Sequence, residues 1–147
     1  MTPSFTPKGR ILALDLGEKR IGVAVSDDTR TIAQALTMFK RTSRREDFAQ
    51  IGRLLAEQRA NLLLIGLPIM LDGTEGEKAA WVRDYAAALA EQIAVPIVFF
   101  DEAFTTKEAE SSLRARGKKG RQIRQNVDAV AAAFILQGYL DAERGDF

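Results

Sequence analysis

The 147-residue chain contains neither cysteine nor histidine. Without thiolate or imidazole it has no means of building a disulfide framework, a Cys/His zinc site, a Ser-His-Asp triad or a Cys-His nucleophile. Any hydrolytic chemistry is left to carboxylates and a hard cation. Mg²⁺ and Mn²⁺ suit that role, because they take oxygen ligands from one or two carboxylates, water and substrate phosphate. Long apolar runs are missing too. None approaches the roughly 20 residues that a membrane-spanning helix needs, and residues 1–10 are polar, broken by Pro3 and Pro7, with no apolar leader core. A cytoplasmic protein with no membrane partner is expected.

A hydrophobic share of 46% is enough to fill one core, so a single domain over residues 1–147 is expected. The formal net charge of +1 hides an uneven distribution. Arg114, Arg116, Lys118, Lys119, Arg121 and Arg124 fall in a stretch without an acid, and Lys40, Arg41, Arg44 and Arg45 form a second basic cluster. Such patches attract polyphosphate even when the whole-protein charge is small. Gly117 and Gly120 interrupt the first run, which reads as a mobile loop between helices that closes on a nucleic-acid backbone. Its ordinary alternative is solvated surface.

Residues 10–16 and 20–26 read as two strands of a hairpin turning at Gly17-Glu18-Lys19, and 32–40 as a weaker third strand. Ser43 with Glu46 forms a capping box opening a helix to about Arg59. The short apolar run 61–66, closed by Gly66-Leu67-Pro68, reads as a buried parallel strand, followed by a turn at Asp72-Gly73. Thr74 with Glu77 repeats the capping box before a helix to about Ile93. Residues 96–100 form another buried strand, and Thr105 with Glu108 opens a helix that fades at Gly117. From Asn126 to about Ala142 a terminal helix places Val127, Val130, Phe134 and Tyr139 or Leu140 on one face. The order β-β-β-α-β-α-β-α-α predicts an α/β fold: a mixed five-stranded sheet, its first three strands antiparallel and the rest parallel, with helices on both faces.

Three carboxylates stand at awkward positions. Asp15 interrupts an apolar strand, Glu102 follows Asp101 at the end of the strand 96–100, and Asp128 is expected in the first turn of the terminal helix. Ligand sites in α/β sheets gather at the carboxyl ends of parallel strands. Acids crowded there repel one another unless a cation neutralises them, and a divalent ion both resolves the conflict and acidifies a bound water. A second ion about 3.5–4 Å away stabilises the departing oxygen of a phosphodiester. Each acid has a plainer alternative: Asp15 as a turn former, Asp101 and Glu102 as strand-end polar residues, Asp128 as a partner of the helix dipole. Lys19 and Arg20, at the hairpin tip beside Asp15, are candidates to clamp a flanking phosphate, the alternative being a solvated turn. Phe104 is a candidate base wedge or a core residue. Trp81 and Tyr85, one helical turn apart, face either a partner helix or the core.

The segment LALDLGEKRIGVAVSD at 12–27 resembles the signature of the YqgF or RuvX family of RuvC-like Holliday junction resolvases. The similarity continues through Gly66-Leu67-Pro68, Asp72-Gly73-Thr74, Asp101-Glu102 with Thr105-Thr106, Asp128-Ala129, Ile135-Leu136-Gln137 and Tyr139-Leu140, nearly the whole chain. This resemblance implies an RNase H-like fold, an acidic site of Asp15, Glu102 and Asp128 holding Mg²⁺ or Mn²⁺, and endonucleolytic cleavage. The substrate it implies is either precursor 16S rRNA at its 5′ end or a four-way DNA junction, and a junction substrate would call for a homodimer. Two positions depart from the family pattern: Ala103 stands where Arg is common, and Met70 where Asn is common. Two rivals remain. One is a catalytically weak or inactive nucleic-acid or ribosome-binding module. The other is an actin-like ATP-binding domain, suggested by Asp15-Leu16-Gly17 but opposed by the presence of only one such domain.

Overall fold

The structure is a computed structural model that describes residues 8–101 and 120–145, with backbone only for 120–126. Strands β1 (Arg10–Leu16) and β2 (Arg20–Ser26) form the expected hairpin, with Asp15 paired to Gly22 and Leu14 to Val23. At the tip the Gly17 amide donates to the Arg20 carbonyl at 2.9 Å. A Cβ on Gly17 would stand 2.7 Å from that oxygen, so the turn requires glycine. Strand β3 (Ala33–Lys40) pairs antiparallel with β2. Helix α1 (Arg44–Gln58) follows, with the Ser43 hydroxyl accepting from the Glu46 amide as the capping box requires. Strand β4 (Ala60–Leu67) then pairs parallel with β1, and β5 (Ile97–Asp101) parallel with β4. The sheet order is β3-β2-β1-β4-β5, the mixed antiparallel-then-parallel arrangement expected from the sequence.

Helix α2 (Glu77–Ala90) begins later than the expected Thr74 cap. Its N-cap is Gly76, with no side-chain cap hydrogen bond. Thr74 is engaged elsewhere: its amide and hydroxyl both donate to the Asp72 carboxylate, at 3.0 and 2.6 Å. The side chain thus closes the Asp72-Gly73 turn and cannot cap the helix. The helix expected over 105–117 lies outside the described residues.

The terminal helix, α3 (Gly120–Arg144), begins six residues before the expected Asn126. Two expectations are corrected by this. Residues 120–124 are helix and not loop, since Arg, Gln and Ile are good helix formers once no proline intervenes. Asp128 therefore lies well inside the helix, beyond its first turn. The buried face also differs: Ala132, Ile135, Leu136 and Leu140 are buried, while Val127, Val130 and Phe134 are only half-buried.

Alternation along the strands sends Leu12, Leu14, Ile21, Val23, Leu63 and Ile65 to a core shared with Ile51, Tyr85 and Leu89 of α1 and α2. Ile11, Ala13, Ala24 and Leu64 point to the opposite face, against α3. Both faces of β1 and β4 are covered, which accounts for their near-continuous apolar sequence. Small residues on the α3 side (Ala13, Gly22, Ala24, Ala132) allow the helix to lie close to the sheet.

Candidate functional site

By the parity of β1, Asp15 belongs to the α3 face, two residues beyond Ala13, and it is half-buried. Gly22, its partner across the hairpin, lies on the same face. A Cβ placed on Gly22 would stand 1.9 Å from the Asp128 carbonyl oxygen and 2.4 Å from its carbonyl carbon. Helix α3 thus rests its Asp128 backbone on the one residue of β2 with no side chain, next to Asp15. The helix–strand contact thus sets the Asp128 backbone against the strand partner of Asp15.

Asp128 is not bare. The Arg20 Nε donates to its Oδ2 at 2.9 Å, with the two side chains 47% and 24% exposed. Arg20, expected to clamp a phosphate, here holds the charge of a predicted metal ligand. Lys19 is exposed at the hairpin tip, and its carbonyl accepts from the Arg41 amide at 2.8 Å. Asp101 is exposed at the end of β5, paired with Leu67. Glu102, Ala103, Phe104, Arg114, Arg116, Lys118 and Lys119 lie outside the described residues. Arg121 and Arg124 are in α3, with backbone alone described. Among the described residues no group of three or more acidic side chains is gathered closely enough to hold an ion. Asp15 and Asp128 are carboxylates, the oxygen-donor type that Mg²⁺ and Mn²⁺ prefer.

Arg41, marked in the sequence only as part of a basic cluster, and Asp47, not marked at all, also shape this end of the sheet. Arg41 donates from Nη1 to the carbonyls of Gly17 and Glu18, at 3.2 and 2.9 Å, gripping the hairpin tip. Its guanidinium lies 4.4 Å from the Trp81 ring centre and 3.7 Å from Asp47, which is only 2% exposed. Asp47 also accepts from the Tyr85 hydroxyl at 3.1 Å and the Thr42 amide at 3.0 Å. Burial, with the adjoining Asp47 charge, pushes the Tyr85 hydroxyl far above the ordinary phenol range. Tyr85 is therefore core, and Trp81, half-buried, forms the wall of a 480 Å³ cavity with Leu16, Glu18 and Lys78. Gly22 did carry a signal in the sequence, because a glycine inside a strand marks close approach of another backbone.

A β-β-β-α-β-α-β sheet with a long terminal helix crossing its other face is the RNase H-like fold, and known resolvase structures share it. RuvC of T. thermophilus, solved with a Holliday junction substrate, superimposes with a TM-score of 0.59 at 18% identity, covering 93% of this chain and 96% of that one. The Fowlpox virus resolvase, solved with junction DNA, gives 0.56 at 12% identity over 91% and 98%. The chain belongs to the RuvX family, described as Holliday junction resolvases, whose model matches residues 9–142. A relative from Anaeromyxobacter sp. (strain Fw109-5), named "Putative pre-16S rRNA nuclease", is 45% identical over 132 residues, covering 90% of this chain and 96% of its own. Another of that name, from Chloroflexus aggregans, is 43% identical over 137 residues, covering 93% and 96%.

Proposed function

We propose that the chain is a divalent-metal-dependent endonuclease of structured nucleic acid, with Asp15, Glu102 and Asp128 as the ligands of Mg²⁺ or Mn²⁺. The single observation supporting this most is the seating of the Asp128 backbone on Gly22, the strand partner of Asp15. Such ions, when bound, supply an acidified water and charge stabilisation for the phosphodiester. The chain's own residues do the rest. Asp15 is held in a strand, and Asp128 in a helix, so neither carboxylate depends on a loop for its position. Arg20 balances the Asp128 charge in the free protein, and with a divalent ion held by Asp128 it would be available to a substrate phosphate. Lys19 sits beside it at the tip to bind the next phosphate.

The basic run Arg114, Arg116, Lys118, Lys119, Arg121 and Arg124 extends this contact along the backbone, binding without reading sequence. Replacing Lys118, Lys119 and Arg121 with Ala lowers the salt slope of binding by up to about one per lost phosphate contact. The candidate substrates are precursor 16S rRNA, after which relatives are named, and a four-way DNA junction, such as the one solved with T. thermophilus RuvC. Symmetric cleavage of a junction would use a homodimer.

The test is metal-dependent cleavage of a synthetic four-way junction and of a precursor 16S rRNA 5′ fragment, run side by side with Asp15→Asn. Cleavage of one substrate by the wild type alone supports the reading and selects the substrate. Activity that survives unchanged in Asp15→Asn removes the site assignment, and binding without cleavage by the wild type leaves a binding module.

A further inference from the structure

The loop joining β4 to α2 carries the most exposed large apolar side chain among the described residues. Leu71 has a relative exposure of 106%, with Met70 beside it at 57%. This is not a slack loop. The Gly73 amide donates to the Met70 carbonyl at 2.8 Å, the Met70 amide to the Thr74 carbonyl at 2.8 Å, and Gly73 takes a positive φ of 84°. Together these make a three-residue hairpin turn closed by a glycine bulge. Thr74 locks it from inside through its two bonds to Asp72. Met70 is laid against the start of α2, its sulfur at 2.9 Å from where a Gly76 Cβ would be. The turn is thus stapled at its base and presents Leu71 at its tip.

Position gives the tip its meaning. The loop leaves the sheet from β4, the strand between β1, which carries Asp15, and β5, which leads to Glu102. It therefore emerges at the carboxyl edge where the candidate site lies. The nearby Glu75 does not present a free charge to a polyanion, because Arg83 binds it through two bonds of 2.7 Å. Leu71 with the adjoining part-covered Met70, followed by Asp72, Gly73 and Thr74, is too small an apolar area for a stable protein interface. It has the size of a wedge entering one base step, a use to which proteins put Leu, Met and Phe.

We propose that Leu71, presented by the Met70–Thr74 turn, is a wedge that enters a base step of the bound nucleic acid and unstacks it beside the scissile phosphate. This rests on the nuclease reading above and adds to it the device that selects branched or distorted sites over plain duplex: a step already unstacked costs less to open.

The experiment places 2-aminopurine at the branch point of a four-way junction and at the single-strand boundary of a precursor 16S rRNA fragment. Binding is followed by anisotropy and unstacking by fluorescence, both in EDTA, and cleavage is then started with Mn²⁺. Wild type, Leu71→Ser and Leu71→Phe are compared, with melting temperatures as the control for folding. The expected result is a fluorescence rise with wild type and Leu71→Phe that is lost with Leu71→Ser, unchanged melting temperatures, and kcat/KM lower by about tenfold in Leu71→Ser. Equal unstacking and cleavage by Leu71→Ser overturns the wedge while leaving the nuclease intact. Wild type that binds neither probe overturns both readings.

Discussion

The backbone of Asp128 lies against Gly22, so closely that a single methyl group on that glycine would overlap the Asp128 carbonyl. Because Gly22 is the hairpin partner of Asp15, this contact sets the spacing between a strand acid and a helix acid. Gly22→Ala is expected to lift α3 from the sheet. The stability loss should be about 1–3 kcal/mol, the usual range for overpacking, read as a lower urea midpoint with an unchanged slope. Nuclease activity should fall further than that loss accounts for, because the two carboxylates separate.

Arg20 and Asp128 are linked at 2.9 Å, yet Arg20 is nearly half exposed. A pair of this kind contributes at most about 1 kcal/mol. Arg20→Gln should therefore leave the melting temperature nearly unchanged. It should also tighten Mn²⁺ binding by up to about fivefold, since a competing cation is removed, while weakening nucleic-acid binding. Calorimetric titration with Mn²⁺ and a filter-binding assay check the two halves separately. Mn²⁺ affinity and nucleic-acid affinity moving in the same direction would contradict the double role of Arg20.

Asp27, at the turn after β2, links stability to acid pH. Partial burial opposes its charge, but hydrogen bonds from the Ile32 amide, the Thr29 hydroxyl and the Thr31 amide outweigh it and hold the carboxyl at about 2, against an ordinary 3.8. A carboxyl with a depressed folded pKa stabilises the fold fully above its unfolded value and loses that contribution as pH falls. Asp27→Asn should accordingly lower the melting temperature at pH 7. The gap between wild type and variant should shrink as pH drops from about 4 toward 2. A gap independent of pH would assign the effect to the turn geometry alone.

Much of the fold was legible because local signals agreed with it. Apolar strands around Asp15, the Ser43 cap and the Gly66-Leu67-Pro68 stop each state their role in residue type. The failures share a cause, which is that polar side chains have more than one use. Thr74 has the spacing of a helix cap, but Asp72 is nearer and takes its hydroxyl. Arg121 and Arg124 follow Gly120 at the end of a basic run, so the stretch reads as loop although Arg and Gln favour helix. Near Gly22 the inward face of α3 is alanine (Ala129, Ala131 and Ala132), too weakly apolar to stand out beside Phe134 and Val130, yet only small residues permit the close approach there. Of the site, Asp15 and Asp128 were readable as acids in apolar settings. The Arg20 partner of Asp128 was not, because 108 residues separate the two and no spacing rule joins them.

Whether Asp15 and Asp128 serve one ion-binding centre is tested without needing the right substrate by Mn²⁺ binding measured by electron paramagnetic resonance. Wild type, Asp15→Asn, Asp128→Asn and the double variant would be titrated with Mn²⁺ after circular dichroism has shown each to be folded. Each single variant should weaken binding at least about tenfold, and the double variant should be little worse than either, because both remove the same centre. Wild-type affinity retained in both single variants, or no Mn²⁺ binding by the wild type itself, would contradict a shared centre.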